Sequence, residues 1–96
     1  MMKKLHLLPA LLLGLFLASI AHAETPISVA GIVEEAPRDT YIFRADDGKN
    51  YYVWTDQSQE ELGPFVGQRV HVKGNTKLND KGIAFFVWVV SVRTVE

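Results

Sequence analysis

The chain of 96 residues contains no cysteine. That absence excludes disulfide staples, a thiol nucleophile, thiolate metal ligands and the cysteine on which a lipoprotein is acylated. Histidine is scarce too: beyond residue 23 only His71 occurs, so no second histidine is there to share a metal or a proton. Positive charge is not in excess, with ten basic residues against eleven acidic ones. A protein that tracks phosphates normally carries such an excess, so nucleic acid is not expected as a partner. After Ile20 no apolar run approaches the length of a membrane span.

What is present begins with an export signature. Lys3 and Lys4 precede an apolar run from Leu7 to Ile20, broken only by Pro9, Gly14 and Ser19, and Ala21-His22-Ala23 supplies a small–x–small cleavage pattern. The run falls short of the about 20 apolar residues of a bilayer span. Residues 1–23 therefore read as a signal peptide cut after Ala23, and residues 24–96 as a periplasmic or secreted domain with no membrane span of its own. Removing Lys3 and Lys4 leaves eight basic residues against all eleven acids, a formal charge of −3. The 73 residues from Glu24 onward suffice for one small domain. Without disulfides, a core this small favours a closed sheet over one with two bare edges.

Turn signals divide the domain into short alternating runs. Ile27–Glu35 places Ile27, Val29, Gly31 and Val33 on one face, and Ala36-Pro37-Arg38-Asp39 closes it. Thr40–Ala45 sets Tyr41 and Phe43 against Ile42 and Arg44. Asp46-Asp47-Gly48-Lys49 then carries the Asp-Gly signal of a tight hairpin, with Tyr51–Thr55 as its return strand. Between Asp56 and Leu62 the alternation stops. Ser58 followed by Glu61 resembles a capping box, and Gly63-Pro64 ends a helix of one or two turns. Arg69–Gly74 alternates again, Val70 and Val72 inward and Arg69, His71 and Lys73 outward. Asn75–Gly82 reads as a turn, and Ile83–Val95 as a long last strand. Its first half is apolar on both faces, which requires two-sided burial or a bend. Three strands, a short helix and two further strands predict an all-β, five-stranded antiparallel OB-fold-like barrel, with an SH3-like barrel as the structural rival.

Strand parity makes Tyr52, Trp54, Phe86 and Trp88 a candidate ligand-binding face, if Tyr51, Val53, Phe85 and Val87 fill the interior. Outward aromatic rings can stack on bases, sugars or peptide side chains. The competing account is that parity slips at a bulge and the rings complete the core, and it carries more weight because aromatic residues dominate core energetics. Arg44, His71 and Lys73, with Arg69, form a second candidate group for an anionic glycan or carboxylate near Trp54. Solvated strand charge explains them more simply. Asp46, Asp47 and Asp80 lack the spacing of a calcium loop, and Asp46-Asp47-Gly48 is accounted for by the hairpin. Glu34-Glu35 and Glu60-Glu61 are adjacent pairs that do not form a local acid–base dyad. Ser58 has no nucleophile elbow around it, and there is no Gly-rich phosphate loop. No enzyme activity, metal or cofactor is expected.

Gly31-Ile32-Val33-Glu34, Tyr41-Ile42-Phe43-Arg44 with Asp47-Gly48, and Val70-His71-Val72-Lys73-Gly74 resemble the bacterial OB-fold (BOF) family of periplasmic stress-tolerance proteins, or a neighbouring family of periplasmic OB domains. The likeness runs loosely from Ile27 to Val95. Only Glu24-Thr25-Pro26 precedes the first strand, where that family has a longer segment, and the aromatic content is higher. The resemblance implies a non-enzymatic envelope domain linked to tolerance of oxidants, metals or cationic peptides. Its expected partner is an envelope protein, a peptidoglycan fragment or a small ligand. The alternative is a structural or assembly protein that uses the aromatic face as an oligomer interface.

Overall fold

The computed structural model describes residues 24–95; the expected signal peptide and its cleavage site lie outside the described residues. Five strands, β1 (Thr25–Ala36), β2 (Thr40–Ala45), β3 (Asn50–Val53), β4 (Arg69–Leu78) and β5 (Ala84–Thr94), close in the order β1-β2-β3-β5-β4. One short helix, α1 (Asp56–Leu62), separates β3 from β4 and runs into a 3-10 turn, Gly63–Phe65. All pairings are antiparallel except that of β3 with β5, where Tyr52 meets Phe85. This is a small OB-like all-β barrel. Closure leaves β1 with a partner on each side, β2 along one half and β4 along the other.

The handover between those partners falls at Gly31, which is in register with both Ala45 and Val70. A Cβ there would lie 2.3 Å from the Arg44 carbonyl oxygen, so any side chain would push β1 off β2. The inward set expected for β1 is the observed one: Val33 is buried, and Ile27 and Val29 pack against the core. Val33, Phe43, Tyr51, Val53, Leu62, Val70, Val72, Phe86 and Val89 make up most of that core. Phe86 sits at its centre, with ring centroids 6.0 Å from Phe43 and 5.6 Å from Tyr51.

The two-sided apolar run of β5 resolves into a bend made by two bulges. Thr76 is opposite Phe86 but Asn75 is opposite Trp88, so Val87 is an extra residue. Gly74 is opposite Val89 but Lys73 is opposite Ser91, so Val90 is a second one. Each bulge shifts the side-chain phase by one residue. Phe86, Val89 and Val92 consequently turn inward at intervals of three.

Two local expectations are corrected. The helix is capped by Thr55 rather than Ser58: the Ser58 N–H donates to Thr55 Oγ1 at 3.3 Å. Ser58 is itself buried, and its hydroxyl donates to the Thr55 carbonyl at 3.0 Å. Asn75–Gly82 is not one turn, because β4 continues through Leu78 against Ala84. The turn proper spans 79–83, where Asn79 Oδ1 accepts the N–H groups of Lys81 and Ile83 at 2.8 and 2.9 Å. The Asp-Gly hairpin forms as expected: Gly48 takes φ 86°, and Asp47 Oδ1 accepts the Lys49 N–H at 2.8 Å.

Candidate functional site

The short strand β3 puts Tyr51 and Val53 into the core, which leaves Tyr52 facing outward. Trp54 follows just beyond the strand. Tyr52 is in register with Ile42 on β2 and Phe85 on β5. Ring centroids are 5.1 Å apart between Tyr52 and Trp54, at 31°, and 5.2 Å between Trp54 and Phe85, at 37°. All three side chains are half-buried. They form a continuous strip of tilted rings on the outside of the barrel. Its register extends across the sheet as Glu34, Ile42, Tyr52, Phe85 and Lys77, one residue from each strand.

Tyr52 and Trp54 therefore belong to one outer face, but Phe86 does not. It is fully buried, and Phe85 takes the outward place beside Trp54. The reason is the bulge at Val87, which breaks the parity that would pair Phe86 with Trp88. Gly74 makes room for it, since a Cβ there would come within 3.2 Å of the Phe86 ring. Trp88 does face outward, 54 % exposed, but against β4 and apart from the strip. The sequence holds little signal for Phe85, because adjacent phenylalanines compete for one inward position and only the bulge decides between them.

The cations gather differently from the expected cluster. Arg44 pairs with Glu34 across β1 and β2, at the Asn50 end of β2, while Trp54 lies past the Tyr41–Val53 pair at the other end. Arg69 holds Asp46 in a two-pronged ion pair, one contact at 3.1 Å from Nη1 to Oδ1. Exposed pairs of this kind contribute about 0–1 kcal/mol. His71 lies 3.3 Å from the Ser28 hydroxyl, and Lys73 is exposed. His71 and Lys73 sit on β4, which neighbours β1 and β5 but not β3, so the fold keeps both away from Trp54. Lys77, in register with Phe85, is the basic residue that meets the strip.

At the foot of the β2–β3 hairpin, Tyr51 donates to Asp47 Oδ2 at 3.1 Å. Burial first, and then the neighbouring Asp47 carboxylate, hold the Tyr51 hydroxyl above its ordinary pKa of 10.0. Among the described residues no group of three His, Asp or Glu side chains converges as a metal site, and no helix is long and apolar enough to cross a membrane. No family model matches the sequence, and no curated protein or solved structure matches it either.

Proposed function

We propose that this chain is a non-enzymatic binding domain of the cell envelope, exported by residues 1–23, that seats its partner on the Tyr52–Trp54–Phe85 strip. The strip is the observation that carries the reading. OB-like barrels bind oligomeric ligands across the face of their second and third strands, and here that face holds tilted, contiguous rings bordered by Ile42. Half-buried rings are held in place by the sheet, so they offer a rigid apolar platform at little entropic cost. Such a platform suits a ligand with flat apolar faces and polar edges. Peptidoglycan fragments combine sugar rings with peptide side chains and meet that description. A role in envelope stress tolerance, as in the bacterial OB-fold family of periplasmic proteins or a neighbouring family, belongs to the same proposal and rests on the three motif stretches.

Titration of a Trp88→Phe variant with purified muropeptides leaves Trp54 as the single indole reporter. A saturable change in its emission, lost in Tyr52→Ala with the far-ultraviolet spectrum unchanged, is the expected result. A flat titration, together with no partner retained from envelope extracts, overturns the proposal.

The partial exposure of the three rings also favours a second reading, in which another copy of the chain completes their burial. Sedimentation over a concentration series separates the two. A mass that stays monomeric at high concentration eliminates self-assembly.

A further inference from the structure

Charge is segregated around the barrel. Strands β4 and β5 carry Arg69, His71, Lys73, Lys77 and Arg93 and no acidic residue. Arg69 is engaged with Asp46, whereas Lys73, Lys77 and Arg93 form no ion pair among the described residues. This concentration stands out in a chain whose formal charge is −1. Three of the four large apolar side chains exposed among the described residues, Leu78, Trp88 and Val90, fall on the same two strands, and the fourth, Ile32, is on β1. Trp88 is in register with Asn75, so Lys73 and Lys77, two residues to either side on the outer face of β4, flank its indole. Val90, pushed out by the second bulge, is 65 % exposed. Beside it an open groove of about 330 Å³ runs between Pro26, Ser28, Lys73 and Asn75.

We infer that this β4–β5 face docks peripherally on an anionic phospholipid surface. Its two features, unpaired cations and projecting apolar side chains, are the two terms of interfacial membrane binding. Trp88 supplies the amphipathic ring that settles at headgroup depth, and Val90 adds apolar contact. Lys73, Lys77 and Arg93 face the lipid phosphates, and the groove beside Lys73 admits a headgroup. A soluble polyanion would satisfy the cations but leave Val90 and the indole in water. The bulges at Val87 and Val90 thus do two things: they close the core around Phe86 and Val89, and they turn Trp88 and Val90 outward. This face adjoins the Tyr52–Trp54–Phe85 strip at Phe85 and Lys77 but is centred on Trp88 and Val90, past the bulge at Val87.

The test uses the processed chain from Glu24, which contains every strand of the barrel, carrying Trp54→Phe so that Trp88 alone reports. Vesicles of phosphatidylglycerol and phosphatidylethanolamine are expected to bind it at low salt and shift Trp88 emission to the blue. Vesicles of phosphatidylcholine are expected to do neither. Lys73→Gln with Arg93→Gln, both at exposed positions, removes two cations and lowers the affinity about 25-fold. The unaltered chain provides an independent readout, since its binding to the anionic vesicles must weaken as salt is raised. Equal behaviour towards the two vesicle types, binding indifferent to salt or to the double variant, or a Trp88 spectrum that does not move overturns the inference. Polygalacturonate bound as tightly as the anionic vesicles also overturns it, by assigning the face to soluble polyanions.

Discussion

The Gln57 carboxamide spends both of its hydrogen bonds on one residue, Val89: Nε2 donates to the Val89 carbonyl at 2.7 Å, and Oε1 accepts the Val89 N–H at 2.7 Å. A side-chain amide here replaces a neighbouring strand. β3 is only Asn50–Val53 and meets β5 at Phe85 alone, so β5 would otherwise show bare backbone toward the helix. Thr55 assists from the same helix start, its hydroxyl 3.3 Å from the Phe86 carbonyl. The first turn of α1 is thus the stave that completes the barrel, and this is the structural reason for a helix between β3 and β4.

Gln57→Ala should therefore destabilise the domain by about 1–3 kcal/mol, because it strands a backbone donor and acceptor in a partly buried setting. Gln57→Glu keeps the shape but sets a carboxylate against the Val89 carbonyl. Only the protonated acid restores the donor, so the folded-state pKa of the introduced carboxyl lies above its unfolded one. Its stabilising contribution is complete below the ordinary glutamate value of about 4.3 and is lost as pH rises through the folded value. Urea unfolding of variant and parent at matched pH should show a gap that widens from pH 4 to pH 7. A gap independent of pH would refute the pairing.

The phase of β5 makes a second prediction. Phe86→Ala removes a fully buried ring and should cost about 3–5 kcal/mol, most of the stability of a domain this small. Phe85→Ala removes a half-buried outer ring and should cost far less, leaving a cooperative transition. Thermal denaturation of the two variants side by side checks the assignment, and a reversed order would contradict the bulge at Val87.

Tyr51 sets an alkaline limit. Its folded pKa is raised, so the unfolded chain loses the phenolic proton first and binds fewer protons in that window. Stability is complete below the ordinary tyrosine value and falls as pH rises toward the folded one. Tyr51→Phe should flatten that part of the stability–pH profile while leaving neutral stability within about 1 kcal/mol, since one hydrogen bond is lost. Denaturant midpoints between pH 9 and pH 11 measure it.

The β1–β2 turn holds two non-glycine residues in left-handed backbone, Arg38 at φ 64° and Asp39 at φ 58°. That is the geometry of a hairpin turn that prefers Asn-Gly. Arg38→Asn with Asp39→Gly should relieve the strain and stabilise by about 1 kcal/mol, raising Tm by about 4–8 °C. Calorimetry decides it, and an unchanged or lower Tm counts against strain at this turn.

Local chemistry makes much of this molecule readable in one dimension. Alternation places Val33, Phe43, Val53, Val70 and Val72 in the core, and Asp47-Gly48 marks a hairpin bend that needs a glycine at positive φ. Even the helix between β3 and β4 is legible from the break in alternation, although its cap lies three residues earlier than expected because both Thr55 and Ser58 are competent caps. These features depend on residues close together in the chain, and their signals survive without tertiary context. The inward turn of Phe86, the pairing of Phe85 with Trp54, and the separation of His71 and Lys73 from the aromatic strip depend instead on how β5 must bend to shut the barrel. That bend is set by contacts between distant residues: Gly74 yielding space to Phe86, and Gln57 reaching Val89. No period in the sequence encodes where a bulge falls, because an extra residue is accommodated wherever the opposing strand leaves room for it.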